Sequence, residues 1–235
     1  DGVLGGDSAS VELKNEIMAL NPDNILPPLL FKRTKMFKEM SYVDILKLEK
    51  SEIGKPLLYM EDANDIETAK QMFRNLLSYL KIRRSSKEPI LHAKKILLLV
   101  RQANPIIKDE AYLQVYKQLH DNHEYDSFMA AFKMLAILSS CFVPDNKNIY
   151  LLILKYLYEE MRDNKNNLVL SHIKYIIQRM IKTKEHERKN VPCKEELEFI
   201  EFLRQPKVVR TSVMSFLRDL MFSIVVVILV MLVLF

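Results

Sequence analysis

The stretch Ile107-Lys108-Asp109-Glu110-Ala111-Tyr112-Leu113-Gln114-Val115-Tyr116-Lys117-Gln118-Leu119-His120-Asp121-Asn122 decides the fold. Just ahead of it Asn104 offers an N-cap and Pro105 a first-turn proline, while Asp109 and Glu110 suit the positive end of a helix dipole. Ile107, Ala111, Val115 and Leu119 recur every four residues, and Tyr112 and Tyr116 widen the stripe. This spacing predicts an amphipathic helix with one face buried and one wet. Apolar segments flank it on both sides in sequence, which makes it the central helix of a packed bundle.

Working back toward the N-terminus, Asp65 reads as the cap of a helix carrying Ile66, Ala69, Phe73, Leu76, Leu77 and Leu80 at three-four spacing. Pro89 then opens a helix through Leu97, Leu98, Leu99 and Val100. Toward the C-terminus, residues 126–140 are apolar nearly all round, so that helix is buried nearly all round. Pro144 and Asp145 mark a turn, Ile149–Met161 and Leu168–Ile181 read as two more helices, and Cys193 with Glu196 has capping-box spacing before a last short one. No stretch alternates with period two between turn residues. The fold class is therefore all-α, a single bundle of about eight to ten helices closed by a hydrophobic C-terminal helix.

Composition narrows the function. The chain has 235 residues and 49% hydrophobic content, enough for one sizeable domain. It contains four glycines, none beyond Gly54, which excludes a phosphate-cradling loop, a dinucleotide fingerprint or a nucleophile elbow later in the chain. Two cysteines, Cys141 and Cys193, give no disulfide framework and suit a reducing cytoplasm. The first residue is Asp1 rather than methionine, so the sequence reads as part of a longer protein. Residues 1–24 read as a flexible linker in which 11–20 could form a short helix, and Lys32, Arg33, Lys35 and Lys38 as a solvated charge run.

The central stretch also resembles the signature helix of the myosin tail homology 4 domain, with its acidic pair, aromatic, lysine-glutamine and closing asparagine. Lys55-Pro56-Leu57-Leu58 resembles the opening motif of that family, and Ala69, Phe73 and Tyr79 its next helix. Phe142, Pro144, Tyr150 and Leu157 are similar to its phenylalanine-proline turn and following helix, and Arg188, Pro192 and Glu196 to its closing spacing. The resemblance covers residues 25–204. It departs where Ala131 and Phe132 stand in place of a glycine-tryptophan pair, and where His186 stands in place of a glycine.

The resemblance implies a non-enzymatic helical module of cytoskeletal proteins that binds microtubules or cargo proteins. A regulatory fragment of a Rho GTPase-activating protein, without its catalytic domain, is the alternative it leaves open. The residues themselves supply basic clusters. Residues 81–101 hold seven basic side chains against Glu88 alone, a net +6, and Arg83, Arg84, Lys87, Lys94 and Lys95 are the candidate contacts to an acidic microtubule surface. The competing reading is an ordinary solvated helix face. Lys182, Lys184, Arg188, Lys189 and Lys194 form a second, weaker cluster.

Residues 205–235 form a basic flank and a hydrophobic tail. The 16 residues from Leu220 to Phe235 lack charge, glycine and proline. As a helix they reach about 24 Å against a ~30 Å hydrocarbon core, and Leu220, Ile224, Val227, Leu229, Leu232 and Phe235 are the candidate membrane residues. A buried terminal helix is the bland alternative, and a tail anchor would leave the helical domain facing the cytosol. His120 and His123 have metal-compatible spacing but read as surface histidines. No catalytic residue, metal, cofactor or nucleic-acid motif is expected.

Overall fold

The computed structural model of the chain describes residues 8–22 and 45–202. The chain divides into two units, Asp1–Glu201 and Phe202–Phe235, and the first contains eight helices and no strand among its described residues. In chain order they are α1 (Ser8–Ala19), α2 (Ala63–Tyr79), α3 (Pro89–Gln102), α4 (Ile106–Leu119), α5 (Tyr125–Ser139), α6 (Lys147–Asp163), α7 (Asn167–Glu185) and α8 (Lys194–Glu201). The hydrophobic C-terminal helix expected over the tail lies outside the described residues.

Helix α4 is the centre of the unit, ringed by α2, α3, α5 and α6. Here the one-wet-face expectation fails. Twelve of its fourteen residues are buried, among them Glu110, Gln114 and Gln118, which are fully out of solvent. The stripe of Ile107, Ala111, Val115 and Leu119 does face the core, but the polar side is covered too. Buried polar groups persist only when hydrogen-bonded, and here they hold the loops that cover them. Glu110 accepts the amides of Leu57 and Leu58 at 2.9 and 2.8 Å, Gln114 donates to Ala69 O at 2.9 Å, and Gln118 donates to Glu49 O at 2.9 Å. The Lys117 ammonium donates to the carbonyls of Ile45 and Lys47 at 2.5 and 2.7 Å.

The same bookkeeping extends past the helix end. Asn122 donates to Gln118 O and Ser127 Oγ and accepts the Glu124 amide, tying α4 to the start of α5. Tyr112 donates to Phe142 O at 2.7 Å, and Asp109 accepts the Asn146 amide at 3.0 Å. Asn146 in turn caps α6 by accepting from Asn148 and Ile149. The residues that carry the family resemblance in this stretch are thus internal struts.

Three local expectations need correction. Asp62, not Asp65, caps α2, accepting the Asn64 amide at 2.7 Å. Asp65 lies within the first turn and receives the Asn104 side-chain amide at 2.8 Å, so Asn104 serves a tertiary bond and does not cap α4. Glu196 does not close a capping box with Cys193, because its carboxylate is taken by the Arg188 guanidinium in a two-pronged pair at 2.5 and 2.8 Å. A charged fork outcompetes a backbone amide and a weak thiol acceptor. Toward the N-terminus, the short helix expected over 11–20 is present as α1 over Ser8–Ala19, which packs on α6 and buries Ile17, with Leu20 buried just beyond it.

Substitutions at the departures from the family pattern keep the core filled. Ala131 and Phe132 are both fully buried in α5, and the Phe132 ring meets Phe128 edge-on at 4.9 Å and lies parallel to Tyr156 at 6.5 Å. Aromatic pairs in this geometry add to simple area burial.

Candidate partner-binding site

The basic candidates sit on and beside the turn between α2 and α3. Helix α2 must end there without a glycine, and Lys81 takes the left-handed conformation instead, at φ 60°. Its cost is about 1 kcal/mol for a residue with a Cβ. The turn recovers hydrogen bonds, since the amides of Ile82 and Arg83 both close onto Leu77 O at 3.0 Å. Pro89 then starts α3 in its first turn, where a missing amide hydrogen costs nothing.

Beneath this turn lies His92, 5% exposed. Its Nδ1 faces Asn75 Oδ1 at 2.9 Å, and the Asn75 amide nitrogen donates to Gln71 O at 2.8 Å. Since Asn75 Oδ1 only accepts, Nδ1 carries the hydrogen and Nε2 is left to accept from the Ser85 hydroxyl at 2.8 Å. Ser85 Oγ also accepts the Lys87 amide at 3.1 Å. One buried neutral imidazole therefore fixes both ends of the turn. Burial first, then the charges of Lys95, Lys87 and Arg83, hold the His92 pKa below its ordinary value.

Of the five candidate cations, Arg83, Lys87 and Lys95 are the ones whose charges act on His92. The neighbouring positive charge of Lys87 lowers the Lys95 pKa. Arg83 is partly neutralised: its Nε donates to Glu52 at 3.0 Å, with both side chains about half exposed, and its Nη1 reaches Ser78 Oγ at 3.3 Å. Arg84 is exposed beside them. Lys94 departs from the group, its charge acting on Glu195 of α8. The sequence shows a charge run but not this split. Lys94 and Lys95 are consecutive on a helix and so point about 100° apart.

The second basic cluster is largely spoken for. Lys184 lies over the Tyr150 ring at 4.6 Å, Arg188 pairs with Glu196, and Lys194 pairs with Glu88 at 2.5 Å. These cations hold the bundle's own elements together. What sequence reasoning missed is His92. A histidine among apolar helix residues, three positions from a lysine and seven from a serine, carries no signal until α2 supplies Asn75.

Among the described residues no group of three or more histidine, cysteine or carboxylate side chains could hold a metal ion. Burial pushes the Cys141 thiol up to about 12, so it remains a protonated core group. No described helix is long and apolar enough to cross a membrane, and Leu220, Ile224, Val227, Leu229, Leu232 and Phe235 lie outside the described residues.

Residues 93–199 match the family model of the MyTH4 domain. Among solved structures, the MyTH4-FERM MF1 domain of Dictyostelium discoideum Myosin VII (mutant 2) superposes with a TM-score of 0.66 at 23% identity, over 80% of this chain and 38% of that one. The human Myosin 7b C-terminal MyTH4-FERM domain, solved in complex with the harmonin-a PDZ3 domain, superposes with a TM-score of 0.60 at 20% identity, over 80% and 35%. The Dictyostelium Myosin VII MF2 domain gives 0.60 at 18% identity, over 84% and 40%. The chain spans about two fifths or less of each of these structures, and at such identities they establish the fold. The matched segment runs from α3 to α8 and includes the buried polar struts of α4, and over it the chain is similar to the MyTH4 domain family.

Proposed function

We propose that this chain is a non-enzymatic interaction module that binds an acidic protein surface through the turn between α2 and α3, with the microtubule as the cytoskeletal partner. The observation that carries this reading is the grouping of Arg83, Lys87 and Lys95 around His92, with Arg84 exposed beside them. The charges of Lys87 and Lys95 disfavour each other, and an incoming carboxylate offsets that repulsion. An acidic polymer would therefore gain more from this arrangement than from the same charges spread singly over a helix face. Protein binding itself fits the family: the Myosin 7b MyTH4-FERM domain is solved with a PDZ partner.

The test is co-sedimentation of the full chain with microtubules at low and high salt, with a microtubule-free control to subtract self-sedimentation. Binding that weakens as salt rises supports the reading, since exposed charges are screened within about 10 Å at 0.1 M. Binding absent at low salt removes it.

A second reading concerns the tail. The uncharged run 220–235 and the basic residues Arg204, Lys207 and Arg210 before it favour membrane tethering with the helical unit on the cytosolic side. On this reading the module links a cytoskeletal partner to a membrane surface.

A further inference from the structure

The turn that carries the basic group also carries two serines, in the order Ile82-Arg83-Arg84-Ser85-Ser86-Lys87. Relative to Ser86, arginines stand three and two positions upstream. That spacing suits an arginine-directed serine kinase, whose acidic cleft pairs with two guanidiniums while presenting the next-but-one hydroxyl to ATP. We infer that Ser86 is a phosphoacceptor for a kinase of this class, and that its phosphorylation switches off the basic surface of the α2–α3 turn.

The two serines are not equivalent. Ser85 is occupied: its hydroxyl donates to His92 Nε2 at 2.8 Å and accepts the Lys87 amide at 3.1 Å. Moving it into a kinase site would leave the buried His92 acceptor unpaired. Ser86 is exposed, and its hydroxyl bonds no described residue. The backbone favours access as well. Residues 81–88 are neither helix nor strand, and no backbone hydrogen bond ties Arg84, Ser85 or Ser86 to another described residue. A kinase needs its substrate extended, and drawing this segment out breaks no backbone bond of residues 84–86, its cost being the two Ser85 hydroxyl bonds to His92 and Lys87. Arg84 is exposed, and the Arg83 to Glu52 pair is a half-exposed surface bridge that a kinase carboxylate can replace at small cost.

The chemistry is ordinary phosphoryl transfer. The Ser86 Oγ attacks the γ-phosphorus of ATP, the bond from that phosphorus to the bridging oxygen breaks, ADP leaves, and the kinase base takes the hydroxyl proton. The product places about −1.5 to −2 charges amid Arg83, Arg84, Lys87 and Lys95. Phosphate oxygens then take up the arginine and lysine donors within the chain, and an acidic partner meets a neutralised surface. This last consequence rests on the acidic-partner reading above; the modification itself does not.

The experiment treats the full chain with a purified arginine-directed serine kinase and labelled ATP, and locates the phosphate by mass spectrometry. We expect one phosphate on Ser86 in the wild type and in Ser85→Ala, none there in Ser86→Ala, and a rate about tenfold lower in Arg84→Ala, which loses one charged pair with the kinase. No incorporation into the folded chain, or incorporation at Ser85 in place of Ser86, overturns the site. Phosphorylated and untreated chains are then compared in microtubule co-sedimentation. Loss of binding only after phosphorylation supports the switch, whereas unchanged binding by a fully phosphorylated chain overturns it. If the untreated chain fails to bind while Ser86 is still modified, the acidic-partner reading fails and the phosphoacceptor stands.

Discussion

Glu110 of α4, fully removed from solvent, accepts the Leu58 amide at 2.8 Å through one carboxylate oxygen while the other takes the Leu57 amide. The two residues are 52 positions apart. This bond fastens the Lys55-Pro56-Leu57-Leu58 segment to the central helix and satisfies two amides that the surrounding leucines would otherwise strand. Glu110→Ala should therefore cost about 3 kcal/mol, read as a lower urea midpoint with little change in slope. Destabilisation below about 1 kcal/mol would show that water replaces the carboxylate.

Glu110 also sets a pH dependence. Burial raises its folded pKa above 4.5, against the lowering effect of the Leu57, Leu58 and Gln114 donors. A raised carboxyl pKa means that the folded state holds its proton longer than the unfolded one. This contribution to stability is full below 4.5 and is lost as pH rises through the folded value. Glu110→Gln removes the titration, so the stability difference between wild type and variant should shift against the wild type as pH climbs through the mildly acidic range. A difference that stays flat across that range would contradict the raised pKa.

Arg188 binds three parts of the bundle at once. Its guanidinium grips Glu196 of α8, its amide donates to Cys141 O at 3.1 Å, and its carbonyl accepts from Arg101 of α3. Arg188→Lys keeps the charge and loses the two-pronged geometry. The pair is about one-third exposed, so solvent screening limits the cost to about 1 kcal/mol. The loss should be local: amides of Leu197 and Ile200 should exchange faster with deuterium, while those in α4 stay unchanged.

How much of this was readable beforehand depended on what each residue touches. Apolar periodicity located α2, α3, α5, α6 and α7 because Phe73, Leu97, Phe132, Leu154 and Ile176 each bury toward neighbours at helical spacing. The same logic misjudged α4, since Glu110, Gln114, Lys117 and Gln118 look like a wet face until one knows which loops descend onto them. Their i, i+4 spacing from Glu110 to Gln114 to Gln118 was the available sign that they act as one row. At the candidate site, the charges were visible and their grouping was not. Lys95 and Lys94 differ only in which way the helix turns them, and His92 gains its role from Asn75 on another element.

His92 offers a separate check on that grouping. Its pKa lies below 6.5 because burial and then Lys95, Lys87 and Arg83 all disfavour the imidazolium. The unfolded chain therefore binds the proton first, so this contribution to stability is full above 6.5 and is lost as pH falls below it. Melting temperature should drop between neutral and mildly acid pH in the wild type, and less steeply in His92→Gln. Equal slopes would contradict the lowered His92 pKa.

The tail makes a prediction independent of the helical unit. If residues 220–235 anchor the chain, the full chain should resist carbonate extraction from cell membranes, and a chain lacking 212–235 should become extractable. Complete extraction of both forms would assign the run to burial or to self-association, for which three consecutive valines at 225–227 are suited.

Charge reversal separates the converged cations from the run as a whole. Arg84→Glu combined with Lys87→Glu should weaken microtubule binding about tenfold or more at low salt and flatten its salt dependence. Lys94→Glu changes the net charge by the same amount per residue, but that side chain acts on Glu195 of α8 and not on the group around His92. Its effect should stay within about twofold, the range of an isolated surface charge. Should Lys94→Glu weaken binding as strongly as Lys95→Glu, partner attraction follows net charge alone, and the arrangement around His92 has no part in it.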